Sequence, residues 1–212
     1  MELYSPIGLK PIDDVTGGAP IGWVRSLLDV SDGAGGWRKG DIDAVMTPSG
    51  VITFPGLERR TDASGPPRKY RLRVEAEVYL PLYRATQDAI EFDAYPYNDA
   101  SPPQNLAQIR ASQPQDLILT PMPHYQFPGH VPVLRGQVED SSGAAVRDAV
   151  VTLGMSERVL TDARGTFALP LRWVAPNTQA SIDAVDQRTG RTGTITIQFP
   201  QDLRTSQTIT VA

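Results

Sequence analysis

Tyr70-Arg71-Leu72-Arg73-Val74-Glu75-Ala76-Glu77-Val78 alternates without a break, apolar at even positions and charged at odd ones through Glu77. Successive side chains of a strand leave on opposite faces. The stretch therefore predicts a strand with one face for a core and one for water. Ile90-Glu91-Phe92-Asp93-Ala94, Thr194-Ile195-Thr196-Ile197-Gln198-Phe199 and Thr208-Ile209-Thr210-Val211 repeat the pattern. Their threonine, valine and isoleucine suit a pleated, half-buried surface. Helical periodicity is nearly absent. Short strands with turn signals about every 8–12 residues point to an all-β sandwich.

The chain has 212 residues, room for one large or two small domains. Its 19 prolines and 18 glycines follow no period and read as punctuation between short segments. A net charge of −4 matches nucleic acid poorly, because phosphate neutralisation dominates that affinity. The absence of cysteine removes disulfides, thiolate metal sites and a cysteine nucleophile. Met1-Glu2-Leu3-Tyr4-Ser5-Pro6 has neither a basic nor an apolar signal region. The expectation is synthesis in the cytoplasm without a signal peptide. No apolar run approaches the roughly 20 residues that span a bilayer.

The middle differs. Eight prolines lie between Pro96 and Pro132, and proline cannot donate to a sheet ladder. This predicts a Pro-rich connection over 99–131, packed on something because it is also apolar and aromatic. Asn105–Arg110 reads as one or two helical turns and Leu117–Leu119 as a brief strand. The flanking domains are expected at 1–98 and 132–212. The two halves also repeat one another. Each runs strand, acidic-glycine turn, strand, and then a turn into an aromatic strand. The turns are Asp13–Gly18 and Thr47–Gly50 in one half, Asp140–Gly143 and Asp162–Gly165 in the other. Glycine takes the positive φ of tight hairpins, and Asp or Ser supplies local hydrogen bonds.

Gly136, Val138, Asp140, Gly143, Ala149, Val151, Leu153, Thr161, Asp162, Gly165, Phe167 and Leu169 carry a further signal. At these positions the second half, roughly Val133 to Ala212, resembles the carboxypeptidase regulatory-like domain. The first half is similar but looser, with a glycine-rich excursion at Ser31–Gly40 and an insertion at Thr61–Pro67. The resemblance implies two tandem antiparallel Ig-like (transthyretin-like) β-sandwiches joined by the Pro-rich connection. It also implies no catalysis by the domain itself. Two enzyme groups share that fold. Hydroxyisourate hydrolases carry a terminal Tyr-Arg-Gly-Ser, where this chain reads Thr208-Ile209-Thr210-Val211-Ala212. Intradiol dioxygenases hold iron with two tyrosines and two histidines, and the spacing of His124 and His130 does not match.

His124 and His130 could ligate a metal, but a six-residue spacing in a Pro-broken loop fixes no geometry. Gly40-Asp41-Ile42-Asp43 offers half a calcium site at most and reads better as a solvated strand start. Arg59, Arg60, Arg68, Lys69, Arg71 and Arg73 form a local basic patch, expected to be offset by Glu58, Asp62, Glu75 and Glu77. Trp37 and Arg38, flanked by glycines on a loop, are candidate partner contacts. Tyr125 and Phe127 in the connection are two more. No Gly-x-Ser-x-Gly elbow or phosphate loop occurs.

The chain is therefore expected to be no enzyme, with no cofactor and no metal. The lead expectation is a structural or adaptor protein of a phage tail, virion or contractile injection particle. Its partners would be other structural proteins, in a homo-oligomer or multi-copy arrangement, with no nucleic acid and no membrane insertion. The alternative is a free-standing carbohydrate- or protein-binding module.

Overall fold

The computed structural model describes residues 3–212. The first strands are β1 (Gly8–Asp13), β2 (Val24–Ser31), β3 (Trp37–Lys39), β4 (Val45–Met46) and β5 (Ile52–Thr53). Next come β6 (Arg68–Ala76), β7 (Tyr79–Pro81), β8 (Ile90–Ala94), the helix α1 (Leu106–Ser112) and β9 (Gln115–Pro121). Then follow β10 (Val133–Asp140), β11 (Val150–Leu153), β12 (Glu157–Leu160), β13 (Thr166–Pro170), β14 (Gln179–Asp186), β15 (Arg191–Gln198) and β16 (Gln207–Val211). The architecture is all-β, as two tandem sandwiches.

The chain divides into two packed units, and the division is discontinuous. The first unit holds the residues up to Glu77 together with Asp88–Ile118. The second holds Val78–Gln87 and Leu119–Ala212. This differs from boundaries at 98 and 132 for a physical reason. The Pro-rich stretch carries a sheet strand: β9 lies beside β1, while its last residues, Leu119–Pro121, pair antiparallel with β7 in the second unit.

The second unit sets a sheet ordered β13-β10-β16 against one ordered β12-β11-β14-β15. Leu134, Val138, Phe167, Leu169, Ile209 and Val211 from the first sheet share one core with Val151, Val159, Ile182, Ala184 and Ile197 from the second. A smaller cluster joins Leu80 and Ala85, from the inserted Val78–Gln87, to Val150 and Leu160. β13 pairs antiparallel with β10, whereas β16 runs parallel to it. Its close approach depends on glycine. A Cβ on Gly136 would overlap the Phe167 ring and the Gln207 carbonyl, and one on Gly193 would overlap the Thr210 carbonyl. Thr192 and Ala212 exchange backbone hydrogen bonds of 3.2 and 3.1 Å, so the end of β16 is also fastened to β15.

The first unit repeats this order strand for strand. Its sheets run β5-β1-β9, with β4 added outside β5, and β3-β2-β6-β8. The equivalences with the second unit keep chain order throughout, so the halves share topology as well as turn motifs. The turns correspond in detail. Asp162 Oδ1 accepts the Thr166 amide at 3.0 Å, four residues on. Thr47 Oγ1 accepts the Val51 amide at 3.0 Å in the same way. The residue opening the turn thus supplies an oxygen in each case. On β6 the inward row Tyr70, Leu72, Val74 and Ala76 is buried as the alternation requires. It is buried along with Leu28, Val30, Leu9, Ile52, Phe54 and Leu117.

Asp140 caps the β10 hairpin. It is held down to about 2 by the Ser142 hydroxyl, by the Ala144 and Ser142 amides and by Arg191. Its folded value lies below the ordinary 3.8, so its contribution is complete above pH ~4 and is lost as pH falls toward 2. Asp140→Asn is expected to flatten that acid limb in urea titrations across pH 4 to 2. Ile209 is fully buried on β16, and Ile209→Ala should cost about 2–4 kcal/mol by chemical denaturation. Removing residues 205–212 should abolish cooperative unfolding of the second unit. An unchanged melting curve would contradict the fastening role of β16.

Candidate functional site

The outer face of the first unit's sheet β3-β2-β6-β8 brings several of the sequence candidates together. Directly opposite residues of a sheet share a face. Asp29 on β2 lies opposite both Lys39 on β3 and Arg71 on β6, and Arg71 lies opposite Glu91 on β8. Asp29 is buried at 6% exposure and accepts from Arg71 Nε at 2.9 Å and Arg73 Nε at 3.0 Å. Burial alone would raise its carboxyl. Hydrogen bonds and charge from Arg73 and Arg71 outweigh that and hold it below the ordinary value.

Trp37 opens β3 on this face, half-buried, with the Arg71 guanidinium 4.8 Å from its ring centre. Arg71 therefore links the tryptophan to the buried carboxylate, a cation–π contact backed by an ion pair. The preceding loop is shaped by Asp32, whose Oδ1 accepts the Ala34 and Gly36 amides at 2.8 Å each. Those amides hold its carboxyl low. Arg38 points to the opposite side, exposed, with Asp41 at 3.9 Å. Beside the face lies a groove of about 300 Å³, lined by Arg25, Leu27, Lys39, Ile42, Asp43 and Arg73, among others.

The basic patch is neutralised, and mostly by partners other than its sequence neighbours. Arg60 and Arg68 contact the buried Glu58. Arg59 reaches Asp99 at 2.8 Å, and Lys69 reaches Glu91 at 3.5 Å. Asp29 takes Arg71 and Arg73. Tyr70 donates to Glu58 at 2.5 Å, and burial together with that carboxylate pushes its phenol far up.

Tyr125 and Phe127 belong to the second unit. Tyr125 is buried, its ring 5.5 Å from Tyr79 and 4.8 Å from Phe127, which is half-buried. His124 and His130 are exposed. Among the described residues no group of three or more His, Asp or Glu side chains could hold a metal ion. No helix among them is long and apolar enough to cross a membrane.

Sequence reasoning passed over the exposed apolar side chains. In the first unit Ile21, Trp23, Val45 and Met46 are about half exposed. Pro20, Val24 and Met46 help line an apolar groove of about 320 Å³. In the second unit Trp173 is 74% exposed and Met155 fully so. Trp173 lines a shallow recess with Leu153, Val174 and Ala180. The signal was available in sequence: tryptophan and methionine amid glycine and proline, outside any alternating run.

No family model matches the sequence, and no curated protein matches it significantly. Among solved structures, the TIE protein of Bacillus anthracis aligns with a TM-score of 0.30 and 10% identity, over 99% of this chain and 33% of that one. A streptococcal ancillary pilin aligns with a TM-score of 0.31 and 11% identity, over 97% of this chain and 62% of that one. The chain thus spans about a third of the first protein and under two thirds of the second. Likenesses this loose carry no argument about fold or function.

Asp29→Asn is expected to destabilise the first unit by about 1–2 kcal/mol, the penalty for two partly exposed arginines left facing each other. It should also weaken the acid dependence of stability. The lowered carboxyl contributes above its unfolded value and loses that contribution as pH falls through the folded one. Denaturant titrations at pH 7 and pH 3 compare the two.

Proposed function

We propose that this chain is a non-enzymatic structural or adaptor subunit of a larger assembly. The finer assignment is a phage tail, virion or contractile injection particle, made from carboxypeptidase regulatory-like (transthyretin-like) modules. The observation that carries the reading is the exposure of large apolar side chains on both sandwiches. Trp23 stands 53% exposed on the first unit, and Trp173 at 74% on the second. Burying such side chains contributes roughly 1.5–3 kcal/mol each, and exposed apolar groups that cluster mark protein contacts. Trp173, which lines a shallow recess with Leu153 and Val174, has the makings of an interface anchor.

The experiment has two parts. Particles purified from the source should contain the chain at fixed stoichiometry by mass spectrometry. Trp173→Ser combined with Met155→Ser should reduce its retention on them about tenfold or more, the scale of a lost aromatic anchor, with an unchanged melting temperature. A chain absent from particles, monomeric in light scattering and bound by an oligosaccharide array would replace this reading with a free-standing carbohydrate-binding module.

A further inference from the structure

We infer that the β3 and β8 edges of the first unit's sheet pair with each other between copies of this chain, extending the sheet from one copy to the next. The inference rests on the reading of the chain as an assembly subunit and names one contact it uses.

Among the described residues β3 and β8 end the order β3-β2-β6-β8. Edge strands present unpaired amide and carbonyl groups that accept another strand. Charge usually blocks that pairing, and here it is divided by sign between the two edges. β3 carries Arg38 and Lys39, both exposed. β8 carries Glu91 and Asp93, both exposed. Two β8 edges would oppose four carboxylates, and two β3 edges would oppose four cations. Only β3 against β8 brings opposite charges together.

Direction and face agree with this pairing. β3 is antiparallel to β2, β2 to β6 and β6 to β8. β3 and β8 therefore run opposite ways. A copy displaced sideways in the same orientation offers its β3 antiparallel to the first copy's β8. Lys39, Glu91 and Asp93 all lie on the outer face, through their register with Asp29, Arg71 and Lys69. Registers that keep the faces aligned set Lys39 against Glu91 or Asp93. Glu91 already meets Lys69 at 3.5 Å, but both side chains are more than half exposed. Such a pair contributes little and leaves Glu91 free to be shared. Such a contact is heterologous, and repetition gives a ring or an open filament. The equivalent edges of the second unit lack this division: β12 carries Glu157 beside Arg158, and β15 carries Arg191 and no acid.

The test uses the full chain in analytical ultracentrifugation, with circular dichroism to check folding. Wild type should self-associate with rising concentration at low salt. It should dissociate in about 0.5 M salt, where screening shortens to a few ångströms. Arg38→Glu with Lys39→Glu leaves two acidic edges, and Glu91→Lys with Asp93→Lys leaves two basic ones. Each double variant should be at least tenfold weaker in self-association. An equimolar mixture of the two should recover it, which damage to folding would not allow. Wild type that stays monomeric, or variants that associate unchanged, would overturn the pairing. So would variants weakened alike with no recovery on mixing. Retention on particles is read separately: a monomeric chain that still enters them at fixed stoichiometry leaves the assembly reading standing and removes only this contact.

Discussion

Side chains one apart on a strand leave a sheet in opposite directions, and most of this molecule follows from how β6 obeys that constraint. Leu72 is fully buried on one face. Its neighbours Arg71 and Arg73 meet Asp29 on the other. A slip of one residue would bury both arginines and expose the core row, so the register is fixed from both sides. The arginine–aspartate group then places Trp37, and the same alternation sorts Lys39, Glu91 and Asp93 onto one surface.

The two units solve one packing problem twice. Both place three strands against four in the same order, and both use an oxygen on the turn residue to cap an amide four positions on. They differ in what was added. The first gained β4 and the second recruited β7 from within the other half of the sequence. The added β7 segment covers Val150 and Leu160, which otherwise lie on the outside of the second sandwich.

Much of this was legible in sequence because it is local. Alternation predicted β6, β8, β15 and β16, and the acidic-glycine turns marked the repeat. Of those turns Thr47–Gly50 joins the paired strands β4 and β5, whereas Asp13–Gly18 and Asp162–Gly165 carry the chain from one sheet to the other. Asn105–Arg110 and Leu117–Leu119 fall within or across α1 and β9. The ion pairs were not legible. Glu75 and Glu77 sit beside the arginines in sequence, yet Asp29, 42 and 44 positions away, takes them. Strand neighbours are set by register, which alternation alone does not reveal. The parallel run of β16 was hidden for the same reason. Tyr125 looked like Trp37, an aromatic amid proline and glycine. Only packing separates a ring that fills a core from one that stays half open.

The path of the chain between units has a consequence for cutting it. The polypeptide leaves the first unit after Glu77, returns at Asp88 and leaves again after Ile118. A single protease nick at any one of these crossings yields two fragments that still share a folded sandwich. Neither unit is released by it. The halves that the repeat makes look separable exchange segments along the chain, so a broken peptide bond that would part a simple tandem pair leaves both fragments holding part of a shared unit.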